Sequence, residues 1–285
     1  MSKISKVIVL VLFFSSVAQS YEIEEDYGYS YFTVGMENVT YEESYSGITS
    51  SVTTTSPILN TGGLFHVNDK FDFSMDAMAT FSPSESTEAW KDSSGALMQE
   101  NSYDYSNAET RVLLHYKYTP EWRILVGSSF RYQSYTRSDL RGINGYNNPV
   151  FLEGSTWKES STDVTLDAGV SYDNGSLSGD NKLRTSFKFV AGIPVWSCTE
   201  NTRLSGGDFS YFGYHTMLEG NISYEMIKGL YLGWYINMKY EKRFESDSES
   251  VTYRDSSNNL VSALAVLPES DTYGFSTGLQ ALWSF

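Results

Sequence analysis

The sequence contains one cysteine, Cys198, which excludes an internal disulfide framework and most thiolate metal sites. Basic residues are scarce. Twenty Lys and Arg stand against 35 Asp and Glu, a formal net charge of −15, which argues against nucleic acid as a partner because phosphates demand a basic surface. Prolines number six and 40% of the residues are hydrophobic, so the chain is not compositionally disordered. The histidines are His66, His115 and His215, and they cluster neither with one another nor with the cysteine. No metal-ligand spacing and no Asp-rich calcium loop appears, so neither a metal nor a cofactor is expected.

Long apolar runs are also missing. The one apolar stretch near the start, residues 7–14, follows Lys3 and Lys6 and precedes small residues. It is far shorter than the roughly 20 residues a helix needs to span a bilayer. Residues 1–20 therefore read as a secretory signal peptide and 21–285 as the mature chain. If the mature chain meets a membrane, strands must cross it.

What the sequence has in quantity is aromatic residues, 15% of the total, and strict alternation. In the last fifteen residues Tyr273, Phe275, Thr277, Leu279, Ala281, Trp283 and Phe285 alternate with positions that are small or polar, save Leu282. A period of two puts these sets on opposite faces of a strand. Similar runs recur upstream, for example Leu232, Trp234, Ile236 and Met238 against Gly233, Tyr235, Asn237, Lys239 and Glu241. Aromatics gather at both ends of such faces, where rings settle at membrane interfaces. Tight-turn chemistry at 68–70, 119–121, 174–175 and 228–229 alternates with longer polar connectors near 44–57, 82–102, 138–160, 197–207 and 245–264.

A secreted sandwich also alternates, but it does not call for aromatic ends, alternating connector lengths or a terminal aromatic. The expectation is a closed, antiparallel up-and-down transmembrane β-barrel of about ten strands with long extracellular loops. Phe285, with Trp283 and Leu279 on its face, resembles the C-terminal signature of bacterial outer-membrane barrels, which the barrel assembly machinery reads in that family. In architecture the chain resembles the omptin-like and adhesin-like barrels. Omptins are proteases with acidic residues and an Asp-His pair at the extracellular rim, and this sequence has no Asp-x-His. The omptin activity is therefore not carried over.

The charged residues of the polar face are expected inside the barrel: Glu109, Arg111, Arg131, Asp163, Asp167, Arg184, Lys188, His215, Glu219, Lys239, Glu241 and Arg243. If Tyr118 and Trp122 flank one turn, Glu109 falls opposite Arg131 as an ion pair. If Met226 and Leu230 flank another, His215 falls opposite Glu241. Unpaired burial of such charges is very costly, so pairing is the expected arrangement. The inward glycines Gly127, Gly169, Gly192, Gly213 and Gly233 offer local space among them.

The functional expectation is a monomeric, non-enzymatic outer-membrane protein with acidic loops at the cell surface, serving adhesion or receptor-like binding. Its partners are outer-membrane lipid and lipopolysaccharide, the assembly machinery and an unnamed extracellular ligand. A narrow passive pore and a rim hydrolase are the alternatives.

Overall fold

The computed structural model describes residues 28–148, 150–174 and 182–285. The expected signal peptide and part of the turn at 174–175 lie outside the described residues. The described chain is all β, with fourteen strands: β1 Tyr29–Tyr45, β2 Ile48–Asn68, β3 Phe71–Thr80, β4 Ser86–Lys91, β5 Leu97–Lys117, β6 Trp122–Gly142, β7 Trp157–Asp173, β8 Leu183–Asn201, β9 Leu204–Phe209, β10 Gly213–Ile227, β11 Leu230–Arg243, β12 Glu249–Arg254, β13 Leu260–Ala265 and β14 Glu269–Ser284.

Antiparallel pairing runs round a complete circuit. It passes from β1 through β2, β3, β5, β6, β7, β8, β10, β11 and β14 and returns to β1. The count exceeds the ten strands expected because four staves are broken. β3 and β4 both pair antiparallel with β2 and with β5, interrupted by Phe81–Glu85. In the same way β9 precedes β10 beside β8, β12 prolongs β11, and β13 leads into β14. The ends of the circuit meet where Phe285 N–H donates to Gly28 C=O at 3.1 Å.

Alternation sets what each face meets. Outward-facing Phe32, Val34, Leu114, Ile124, Val126, Leu218, Trp234, Ile236 and Met238 are exposed, each at 40% or more. They form a belt that suits lipid and not water. On β11 the belt runs from Leu230 to Tyr240, the length that a tilted strand needs to cross the hydrocarbon core. Rings border it on both sides. Trp122, Tyr172 and Phe187 pack together near the end that carries the chain termini, and Tyr214, Tyr240 and Tyr273 near the other. Lys242, just past that second ring, pairs with Asp271 at 2.8 Å.

The barrel does not stop at the belt. β5 and β6 are 21 residues each, about twice the spanning length. The long connectors expected at 44–57, 82–102, 197–207 and 245–264 are largely strand. β1 and β2 join through Ser46 and Gly47, whose φ values of 49° and 81° form the left-handed pair that a two-residue hairpin needs. Among the described residues, the longest stretch without strand lies between β6 and β7. Beyond the belt the outward face turns polar, so the alternation that lipid imposes fades while the strands keep their ladder.

Candidate functional site

The barrel interior is filled with charge, and each expected interior residue can be placed. Nearest the termini Arg184 pairs with Asp173 and lies over the Tyr29 ring at 4.1 Å. Next, Lys188 bridges Asp76 at 3.0 Å and Glu219 at 3.2 Å, while the Tyr31 hydroxyl donates to Asp76 at 2.7 Å. Arg111 pairs with Glu109 and stands 3.9 Å from Asp167; Lys239 reaches Glu109 from across the lumen at 2.9 Å. Arg131 grips Asp163 with two nitrogens, each at 3.0 Å, and Glu241 at 2.6 and 3.0 Å. His215 Nε2 lies 3.4 Å from Asp167 Oδ1. Arg243 binds Glu43 at 3.0 Å and Glu159 at 3.4 Å.

Registers and partners separate here. Glu109 does stand opposite Arg131, and His215 opposite Glu241, on neighbouring strands. Neither pair is an ion pair. Glu109 pairs instead along its own strand with Arg111 and across the lumen with Lys239, and Arg131 takes Asp163 on its other neighbour β7 and Glu241 across the lumen, because a closed barrel brings inward groups of distant staves as near as those next door. Sequence reasoning passed over Glu43, Glu159 and Arg137, and it read Glu88 as a solvated acid of the 82–102 connector, whereas β4 buries it completely. Arg137 holds Glu88 through two nitrogens at 2.7 and 2.9 Å and touches Glu43 at 3.2 Å. They lie where hydrophobic alternation has ended, although the alternate inward positions Val39, Tyr41 and Glu43 carry the period one stretch further.

Little room remains among these groups. The expected space at the inward glycines is occupied or closed: a Cβ on Gly192 would run into Asp167 and the His215 ring, and one on Gly127 into the backbone of Val112. The cavities found within the charged lumen measure about 30, 50 and 20 Å³, room for roughly one to four waters each. A layer of rings, Tyr41, Tyr103, Tyr105 and Tyr135, adds a further obstruction, with Tyr41 and Tyr135 centred 5.1 Å apart.

The far mouth is different. Above the Arg137 and Arg243 clusters lies a cavity of about 340 Å³. Its walls are mainly apolar and aromatic, with Trp157, Phe151, Phe209, Val251 and Leu267 among them, and its floor carries Glu43, Arg137 and Glu159. Trp157 and Phe151 stack at 4.3 Å. Phe209, Val251 and Leu267 pack with Tyr211 into an apolar cluster. In β4, which stands clear of the belt, burial alone would raise the Glu88 carboxyl; Arg137 and the Asn101 amide overcome this and hold it below the usual glutamate range. No histidine lines this cavity.

A closed antiparallel barrel with a lipid-facing belt and a charged interior is a bacterial outer-membrane β-barrel, and the outer membrane is where such a fold sits. Among solved structures the chain is similar to the outer membrane protease OmpT from Escherichia coli, with a TM-score of 0.60 over 94% of this chain and 99% of that one, at 13% identity. Weaker likenesses include OprG from Pseudomonas aeruginosa, at TM-score 0.37 and 9% identity over 91% of this chain and 97% of that one. A mutant of TodX, a monoaromatic hydrocarbon channel, aligns at TM-score 0.40 and 8% identity over 92% and 91% of the two chains. No family model and no curated protein matches the sequence.

Proposed function

We propose that this protein is a non-conducting, non-enzymatic surface barrel that works by binding at its far mouth, as a receptor or adhesin. One observation carries the reading. The lumen is blocked by cross-barrel ion pairs and tyrosine rings, while the cavity of ligand size opens beyond them. Outer-membrane barrels carry their termini on the periplasmic side, which puts this mouth outside the cell. Acidic side chains crowd that end, among them Glu85, Asp92, Glu100, Asp104, Glu200, Asp208, Asp247 and Asp255.

The likeness to a protease supports a second reading, hydrolysis at the rim. Against it stand the sequence's lack of an Asp-x-His and the engagement of Glu43, Glu88 and Glu159 in ion pairs. Planar-bilayer recording of refolded protein is the test. Negligible conductance is expected, and a large steady conductance would replace the receptor reading with a pore. Cleavage of a general peptide library by the same preparation would restore the hydrolase.

A further inference from the structure

The far cavity has a chemical preference written into its floor. Arg137 holds Glu88 through its Nε and Nη2 atoms and also reaches Glu43 at 3.2 Å, while Arg243 holds both Glu43 and Glu159. Three carboxylates therefore meet two guanidinium groups, all of them nearly buried, and one negative charge is left over. Two of those carboxylates, Glu43 and Glu159, face the cavity. An excess charge in a partly desolvated floor is neutralised by a proton or by a cation. The aromatic walls favour a cation, since ring faces attract positive charge, and so does the acidic surround of the mouth.

Two neutral polar atoms narrow the class further. Trp157 and Ser50 both line the same cavity and are no more than 3% exposed, and the Trp157 Nε1 and Ser50 Oγ atoms have no hydrogen-bond partner. Buried polar atoms are normally paired, so orphaned ones at a cavity mark where a ligand's polar atom belongs. The indole N–H asks for an acceptor, and the serine hydroxyl can give or accept.

We propose that the mouth cavity binds one small organic amine with an aromatic or branched apolar body, its ammonium group on the Glu43 and Glu159 floor and a hydroxyl or carbonyl near Trp157 and Ser50. The volume, about 340 Å³, suits a single small molecule and not a folded partner. This rests on the receptor-like reading and names the ligand class for its site.

Isothermal titration of the full barrel in nanodiscs tests it with probes matched in shape: phenethylamine, phenethyl alcohol and phenylacetate, followed by tyramine. Phenethylamine should bind at least about tenfold more tightly than the alcohol, and phenylacetate should not bind. Tyramine, with its added hydroxyl, should exceed phenethylamine. Glu159→Gln should remove the preference for the amine. Should that variant fail to fold, Leu264→Arg at the exposed lip of the cavity should weaken the amine and spare the alcohol. Equal binding of all three matched probes, preference for the anion, or no binding by any would overturn the proposal. Conductance is read in a separate experiment, so a sealed lumen with no amine preference would sink this inference and leave the non-conducting reading standing.

Discussion

Arg131 shows what a single interior residue does in this barrel. It neutralises Asp163 on the adjacent strand β7 and Glu241 across the lumen on β11. Replacing it by Met leaves both carboxylates buried without their cation. Stability should fall by about 3–5 kcal/mol, read as a lower urea midpoint for the refolded barrel. A midpoint unchanged from the wild type would mean that water, and not Arg131, solvates these acids. Glu88 gives the pH dependence. Its carboxyl is held below the ordinary glutamate range in the fold, so its contribution is complete at neutral pH. That contribution is lost as acid protonates it. Protease cutting at the adjacent 92–96 turn should therefore increase on acidification from neutral pH, and Glu88→Gln should flatten that dependence. How these side chains face was legible, because alternation fixes facing. Which partner each takes was not, because Lys239 with Glu109, Lys188 with Asp76 and Arg131 with Glu241 are joined by closure, and no linear pattern records it.

At the scale of the strand, the belt can be tested by moving charge through it. Arg placed at Leu218 or Ile236, both lipid-facing, should cost about 2–4 kcal/mol in vesicle unfolding titrations. Arg placed at Thr55, outward but beyond the belt, should cost little. Equal penalties would mean the outward face meets one medium along its whole length. The same boundary explains where sequence reading stopped seeing strands. From Ser50 to Ser56 the inward set is Ser50, Val52, Thr54 and Ser56 and the outward set is Ser51, Thr53 and Thr55, so polarity hardly alternates although every residue is in the ladder. Hydrophobic periodicity reports the medium on the other side of the sheet, not the sheet itself. On β14, Phe285→Ser should reduce membrane insertion more than Ser284→Ala does. The Phe285 ring rests on Phe65 at 6.0 Å, and the residue's backbone closes on Gly28. Comparable insertion of the two variants would deny the terminal aromatic any special role.

For the molecule as a whole, the far extension and the membrane barrel are separable. The β12–β13 hairpin reaches the rest of the sheet through the single register pair Thr252 and Ser205. Exchanging residues 249–265 for a short turn should leave the protein heat-modifiable on detergent gels while removing amine binding, since Val251, Tyr253 and Leu264 line the mouth cavity. Loss of heat-modifiability would show that the extension is needed for the barrel to form.

Nine of the ten junctions in the circuit join staves that follow one another along the chain. The tenth joins β1 to β14, where Tyr29 meets Ser284 after almost the whole sequence has intervened. Local zippering can complete nine steps quickly, whereas the last waits on a search over the full chain. Until it succeeds the product is an open sheet with two unpaired margins, and in lipid neither margin has water to turn to. The interval before that seam shuts is the period in which the nascent protein is most exposed to pairing with a neighbour.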